Sequence, residues 1–175
     1  MPVYSLWLVP ERDGPAFAAL AELIRDLARQ FDTPVFDPHV TLVGGLEGDE
    51  AALAAAAKDV AGIERPQIEL TEIVSRDSYF QRLVVAAAPT PPLLRAHALA
   101  RAALGAETAA YWPHLSLAYG ELDAAQIRRL LVIATAAGPV GAHFPAAALE
   151  LWRTDGAVSG WACTASFPLP PGRAR

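Results

Sequence analysis

Two short stretches of the sequence combine a histidine with a hydroxyl residue in the same arrangement. Residues 38–45 read PHVTLVGG and residues 113–120 read PHLSLAYG, at a constant offset of 75 (114 − 39). In each copy the histidine and the hydroxyl residue stand two positions apart, with aliphatic residues between and after them. On a β-strand this spacing sends the histidine and the hydroxyl to one face and the aliphatic side chains to the other. The repeat therefore predicts two strands that each bury one face and expose an imidazole and a hydroxyl.

These residue types suit general acid–base chemistry on a phosphate ester. An imidazole has an ordinary pKa near 6.5, so it accepts or donates a proton close to neutral pH. Two of them flanking one phosphorus can deprotonate water on one side and protonate the leaving oxygen on the other. The hydroxyls of Thr41 and Ser116 can donate to a phosphate oxygen as charge develops there. We assign His114 as the base and His39 as the acid, although the symmetry of the motifs leaves the reverse assignment open.

The elements around the motifs predict an α+β protein. Apolar residues at three-and-four spacing predict helices over 15 to about 33, 49–60, 91 to about 104 and 123 to about 136. Apolar runs predict strands over 3–10, 35–46, 67–75, 79–87, the second motif, 147–154 and 161–169. Two hairpin-like pairs interrupt the alternation, which favours antiparallel over doubly wound parallel architecture. We therefore expect a bilobal fold of two similar halves, each with an antiparallel sheet and flanking helices, around a central cleft.

Size and composition restrict the class of protein. With 175 residues, 53% hydrophobic and 19% charged, the sequence is typical of a soluble globular chain. We expect a single bilobal domain over 1–169 and a loose tail over 170–175. No charge-free apolar run reaches eighteen residues, and the amino terminus lacks a basic leader, so we expect a cytoplasmic protein that neither spans a membrane nor is exported.

Charge and cysteine content indicate a small substrate and no metal. The net charge of −5 argues against an extended nucleic-acid partner, which requires a basic surface. Cys163 is the single cysteine of the sequence, so neither an intrachain disulfide nor a thiolate metal site can form. The sequence also lacks a cluster of Asp and His of the kind that holds catalytic ions. We therefore expect no metal or cofactor, a small-molecule substrate such as a phosphate ester, and a monomer.

The paired motifs resemble those of the two-histidine phosphoesterase superfamily, whose signature is a pair of His-x-Thr/Ser-x strands. Within it, the chain is most similar to the cyclic phosphodiesterases of plants and fungi. The similar pieces are residues 6–10, 38–42, 79–81, 113–117 with 119–120, and 151–156. The resemblance implies a bilobal fold and the metal-independent opening of a cyclic phosphate on a nucleoside or on ADP-ribose. It also implies that Tyr119 contacts phosphate and that Phe80 lies beside the cleft, where it could stack on a base or sugar.

Three alternatives stay open. The first is an RNA 2′,3′-cyclic phosphodiesterase of the RNA-ligase-like branch of the same superfamily, whose affinity would fall steeply with salt. The second is a non-catalytic nucleotide-binding relative, which would bind a cyclic nucleotide without hydrolysing it. The third is a metal-dependent phosphodiesterase, which a chelator would inactivate. His97, His143 and the four tryptophans are interpreted as structural or surface residues, and so are Arg76, Arg82 and Arg153.

Overall fold

An eight-stranded antiparallel sheet carries four helices in the computed structural model, which describes residues 1–107 and 110–171. The strands are β1 (Val3–Val9), β2 (Val40–Glu47), β3 (Gln67–Val74), β4 (Leu83–Ala87), β5 (His114–Ala118), β6 (His143–Pro145), β7 (Ala148–Arg153) and β8 (Ala162–Pro168). The helices are α1 (Pro15–Phe31), α2 (Glu50–Val60), α3 (Pro91–Ala103) and α4 (Ala124–Ala137).

The sheet consists of two four-stranded halves joined through the motif strands. Its strand order is β6-β3-β4-β5-β2-β1-β7-β8, so β5 and β2 are neighbours at the centre. The succession β1-α1-β2-α2 of the first half recurs as β4-α3-β5-α4 in the second. The α+β fold with two similar halves, predicted from the repeated motif, is confirmed.

The two motif strands meet at one residue pair, Val40 opposite Leu115. Both side chains are almost completely buried, as are those of Leu42 and Leu117 two positions further along. Alternation on the strands then sends the neighbouring residues, Thr41 among them, to the opposite face. The aliphatic positions of the motifs thus anchor both strands in the core, as predicted.

The helices cover the core face of the sheet and follow their sequence signals closely. In α1 the buried residues Leu20, Ile24, Leu27 and Phe31 lie on one stripe, and Pro15 begins the helix. A capping box of Asp123 and Gln126 begins α4 and satisfies otherwise unpaired backbone donors. No helix among the described residues has both the length and the apolar character needed to cross a bilayer.

Two sequence predictions about local structure were wrong. Residues Tyr79–Gln81 form a 3-10 turn rather than the start of a strand, which begins at Leu83. Residues 35–39 precede β2 rather than belong to it, since the ladder with β1 begins only at Val40. The predicted pairing of β7 with β8 as a hairpin is confirmed, and the connection between them includes a 3-10 turn at Val158–Gly160. Of the predicted loose tail, residues 172–175 lie outside the described residues.

Candidate active site

A cavity of about 370 Å³ lies over the junction of the two motif strands. Its lining includes all six residues predicted from the sequence: His39, Thr41, Phe80, His114, Ser116 and Tyr119. The remaining lining residues are Val3, Ser5, Trp7, Gly44, Gly45, Gln81, Thr154 and Trp161. Two segments 75 residues apart (114 − 39) therefore present their imidazoles to one space.

His39 is held in a tight, almost solvent-free setting. It is 4% exposed, and its ring stacks on the indole of Trp7 with centroids 3.6 Å apart and planes 8° apart. Its Nδ1 donates to the backbone oxygen of Asp37 at 2.6 Å. The pKa of His39 is lowered from 6.5 to about 4, mainly by burial and to a smaller extent by the nearby charge of His114, although the hydrogen bond to Asp37 and the Asp37 charge oppose the decrease. His39 is therefore neutral at pH 7.

His114 occupies the corresponding position on the other strand but is more accessible. Its Nδ1 donates to the backbone oxygen of Trp112 at 2.9 Å, and its ring stacks on that indole at 4.9 Å. The guanidinium of Arg76 lies over the same indole, 4.7 Å from the Trp112 centroid. Burial lowers the pKa of His114, and the positive charge of Arg76 adds to the decrease, although the hydrogen bond to Trp112 opposes it.

The two histidines share one tautomer because a backbone carbonyl can only accept a hydrogen bond. In each ring Nδ1 must carry the proton, so Nε2 of the neutral ring keeps a lone pair. Each can then accept a proton at Nε2 or, once protonated, donate one. The arrangement has the elements of an acid–base pair at one reacting centre.

The hydroxyl groups of the site stand beside the imidazoles. Ser116 is buried and donates to the backbone oxygen of Phe80 at 3.2 Å, while Thr41 is half-buried. Tyr119 is 3% exposed, and its ring stacks on Phe36 at 3.8 Å. Burial raises the pKa of Tyr119, and a hydrogen bond with Ser116 partly offsets this. Tyr119 thus remains a neutral hydroxyl donor.

Tyr119 enters the cavity because the chain leaves the strand at that point. On a regular strand Tyr119 would face away from His114 and Ser116, but β5 ends at Ala118. Gly120 then adopts a φ of 130°, in the region that favours glycine. Its backbone oxygen accepts from Nε of the buried Arg82 at 2.9 Å. Arg82, interpreted from the sequence as a surface residue, instead fixes this turn.

Aromatic rings form the mouth of the cavity. Phe80 is 50% exposed and packs edge-on against Tyr119 at 5.3 Å. Trp161, which lies between the 3-10 turn and β8, is 5.8 Å from Phe80. An exposed phenyl ring beside a cavity offers a face on which another planar ring can stack.

Several side chains in and behind the cavity wall were not predicted from the sequence as site residues. Ser5 and Thr154 share a hydrogen bond of 3.1 Å across β1 and the end of β7, although 149 positions separate them. His97 and Tyr111 support β2 from behind. His97 Nδ1 donates to the backbone oxygen of Leu42 at 2.8 Å, and the Tyr111 hydroxyl donates to the backbone oxygen of Thr41 at 3.1 Å. The two rings stack at 3.9 Å, so His97 is structural, as predicted.

The described part of the cavity wall contains no residue with a fixed charge. Among the residues that the structure describes there, none is Arg, Lys, Asp or Glu, and the two imidazoles are the only groups that can become cations. Within 1–107 and 110–171, no three His, Cys, Asp or Glu side chains come together as possible metal ligands. The site is therefore suited to an anion of low charge.

The chain matches known proteins along nearly its whole length. A family model described as cyclic phosphodiesterase-like protein matches residues 1–168. A 2′,3′-cyclic-nucleotide 3′-phosphodiesterase of Eremothecium gossypii is 30% identical, over 94% of this chain and 90% of the relative. TT0787 of Thermus thermophilus superposes with a TM-score of 0.65 at 19% identity, covering 99% of this chain and 100% of that one. E. coli LigT complexed with 3′-AMP superposes with a TM-score of 0.61 at 15% identity, covering 96% and 98%. These solved structures share the fold of this chain.

Proposed function

Because the chain belongs to the cyclic phosphodiesterase-like family, of the two-histidine phosphoesterase superfamily, and is a cyclic phosphodiesterase, we propose that it opens a nucleoside 2′,3′-cyclic phosphate by two-histidine catalysis. The product is the nucleoside phosphomonoester. Water attacks phosphorus as one histidine takes its proton, and the ester P–O bond opposite breaks as the other histidine protonates the departing oxygen. Thr41 and Tyr119 donate hydrogen bonds to the non-bridging oxygens, and Ser116 does so when its hydroxyl turns from the backbone oxygen of Phe80 to the substrate.

The observation that carries this proposal is the matched setting of the two imidazoles. His39 and His114 line the same cavity, and each uses Nδ1 to bond a carbonyl two residues upstream. Proton transfer requires a lone pair on one nitrogen of each neutral ring, and the bonds made by Nδ1 leave that lone pair on Nε2 in both. A hydroxyl residue follows each histidine by two positions and lines the same cavity.

The difference in burial between the histidines favours the reverse of the assignment made from the sequence. His39 is the more deeply buried of the two, so it is neutral before attack, which is the form that accepts a proton from water. His114 is the more exposed of the two and sits in a half-buried setting, where it takes up a proton more easily. We therefore assign His39 as the base on water and His114 as the acid to the leaving oxygen.

The cavity supports a small substrate with one phosphate. Its volume of about 370 Å³ lies near the lower end of ordinary ligand pockets. The described wall, which holds no lysine or arginine, can match a singly charged cyclic phosphodiester through one imidazolium. The same wall offers no fixed charge to the pyrophosphate of ADP-ribose or to an RNA backbone. The complex of E. coli LigT with 3′-AMP, a nucleoside phosphomonoester, is compatible with such a ligand in this fold.

Phosphorus NMR of a substrate panel tests the proposed function. The panel holds nucleoside 2′,3′-cyclic phosphates, ADP-ribose 1″,2″-cyclic phosphate and an oligoribonucleotide ending in a 2′,3′-cyclic phosphate, each with EDTA present. We expect the nucleoside signal to convert to a phosphomonoester, at a rate that depends little on salt. Activity that requires added divalent metal, or binding without conversion, would contradict the proposal. Faster, strongly salt-dependent cleavage of the oligoribonucleotide would favour the RNA-directed alternative.

The pH dependence of kcat/KM follows from the lowered pKa values of the two histidines. The base must be neutral, so the rate rises as pH passes about 4, the pKa of His39. The acid must be protonated, so the rate falls as pH passes the pKa of His114, which lies below 6.5. We therefore expect a bell-shaped profile with its maximum on the acid side of pH 6.5. A profile that still rises above neutral pH would contradict it.

The exposed ring of Phe80 is expected to bind the nucleobase. Base–aromatic stacking contributes about 1–3 kcal/mol, so Phe80→Ala should raise KM roughly 5- to 150-fold while kcat changes little. Leu99→Ala is the matched control, since Leu99 is 52% exposed but lies on α3 away from the cavity. Steady-state kinetics on a cyclic nucleotide measures both. An unchanged KM in the Phe80 variant would show that the base binds elsewhere.

A further inference from the structure

We propose that Arg12, Glu150 and Trp152 are positioning residues that fix the His39 imidazole for proton transfer, an inference that rests on the proposed function of His39. The described lining of the cavity includes none of the three. Arg12 and Trp152 each reach His39 through one intermediate residue, and Glu150 binds them both. We name the set the His39 circuit; it comprises Trp7, Arg12, Asp37, Glu150 and Trp152.

The circuit is built around a buried carboxylate. Glu150 lies within β7 and is 2% exposed. Arg12 binds it through Nη2, at 2.8 Å to Oε2 and 3.1 Å to Oε1, and through Nε at 3.3 Å. The indole Nε1 of Trp152 donates to Oε2 at 2.8 Å. A desolvated charge persists only when it is paired and hydrogen-bonded in this way.

One branch of the circuit holds the hydrogen-bonding nitrogen of His39. Arg12 uses its remaining Nη1 to bind Oδ2 of Asp37 at 2.8 Å. The backbone oxygen of Asp37 is the acceptor for His39 Nδ1. Arg12 thus ties the segment that sets the His39 tautomer to a carboxylate anchored in the sheet.

The other branch holds the face of the ring. Trp152 stacks on Trp7 with centroids 4.5 Å apart and planes 24° apart. Trp7 in turn stacks on His39 at 3.6 Å. Because Glu150 fixes the Trp152 indole, the same carboxylate that anchors Arg12 also anchors this stack. Glu150 therefore controls both the in-plane direction and the tilt of the imidazole.

A purely structural ion pair does not account for this convergence. Only the carboxylate of this pair is buried, since the side chain of Arg12 is 45% exposed, and a partly exposed ion pair contributes little to stability. Here both ends of the pair lead to the same ring by separate routes. Misplacing a reacting group by about 1 Å can cost on the order of 10²-fold in rate, which is the loss that such a circuit prevents.

Kinetics of four variants tests the circuit: Arg12→Gln, Glu150→Gln, the double variant, and Arg29→Gln as the control. Arg29 belongs to an exposed pair with Asp26 on α1. We expect Arg12→Gln to lower kcat about ten- to a hundred-fold with little change in KM. The double variant should be no slower than Arg12→Gln alone, because residues that act as one unit are not additive. Arg12→Gln leaves the buried carboxylate of Glu150 without its partner, whereas the double variant removes that charge as well. The double variant therefore keeps the comparison possible if Arg12→Gln folds poorly.

Kinetic results of another kind would overturn the inference. The first is a rise in KM at unchanged kcat in Arg12→Gln. The second is a decrease in kcat in the double variant that equals the product of the two single decreases. The third is a decrease in kcat in Arg12→Gln no larger than that in Arg29→Gln. The kcat and KM of each variant are measured well below its melting temperature.

Nitrogen-15 NMR of the His39 ring tests the circuit independently of turnover. In the wild type we expect a protonated Nδ1 and an unprotonated Nε2 at neutral pH, as the bond to Asp37 requires. In Glu150→Gln and in the double variant the two nitrogen shifts should move toward each other as the tautomers mix. Unchanged shifts in both variants would overturn the inference. If no cyclic phosphate is hydrolysed at all, the proposed function fails, yet this measurement still decides the positioning role.

Discussion

His39→Ala and His114→Ala are each expected to lower kcat on a nucleoside cyclic phosphate about 10²- to 10⁴-fold. The loss reflects removal of the proton acceptor on water or of the proton donor to the leaving oxygen. Thr41→Ala and Ser116→Ala should cost less, on the order of ten- to a hundred-fold, because each removes one hydrogen bond to the developing charge. Single-turnover kinetics on folded protein measures all four. Wild-type turnover in either histidine variant would contradict the mechanism.

A substrate with a good leaving group separates the two histidines. The 4-nitrophenolate of bis(4-nitrophenyl) phosphate departs without a proton, so it does not need a general acid. If His114 is the acid, His114→Ala should retain far more activity on this ester than His39→Ala does. The opposite order would restore the assignment made from the sequence.

Trp7→Ala is expected to lower the free energy of unfolding by about 3–5 kcal/mol, in the range of large-to-small core substitutions. Trp7 is 2% exposed and lies between His39 and Trp152, so truncation leaves a cavity with aromatic walls on both sides. Because His39 loses the face on which it stacks, kcat should fall as well. Urea denaturation and kinetics on the same preparation measure the two effects.

Trp161→Ala is the control for Trp7→Ala. Trp161 lines the same cavity but is only half-buried, so its loss should cost clearly less stability. Its main effect should be on KM, since the ring forms part of the cavity mouth. Equal destabilisation by both substitutions would contradict the central role given to Trp7.

The parts of the fold and site that the sequence predicted are those encoded locally. The period-two pattern placed His39 and Thr41 on one face because strand alternation depends only on neighbouring residues. The apolar spacing of α1 located that helix for the same reason. The offset repeat further indicated two similar halves, which the strand order confirms. That these residues catalyse stays a prediction.

The parts that were missed depend on contacts between distant segments. Tyr79 and Phe80 are good strand formers, but no strand in the described part of the chain pairs with them and they form a 3-10 turn. Arg12 and Glu150 are 138 positions apart, so no local spacing relates them. Tyr119 lines the cavity because its strand ends one residue earlier, and element boundaries are the least certain feature of any pattern.

The hydrogen bond from each histidine to the carbonyl two residues upstream makes the motif self-contained. The intervening residue is a proline in both copies, and its fixed φ restricts the path from that carbonyl to the imidazole. Three consecutive residues thus carry a proton-transfer group together with the control of its tautomer. Duplicating those three residues therefore duplicates an imidazole together with the bond that sets its tautomer. The contacts of the His39 circuit come from remote segments, so the three-residue unit does not contain them.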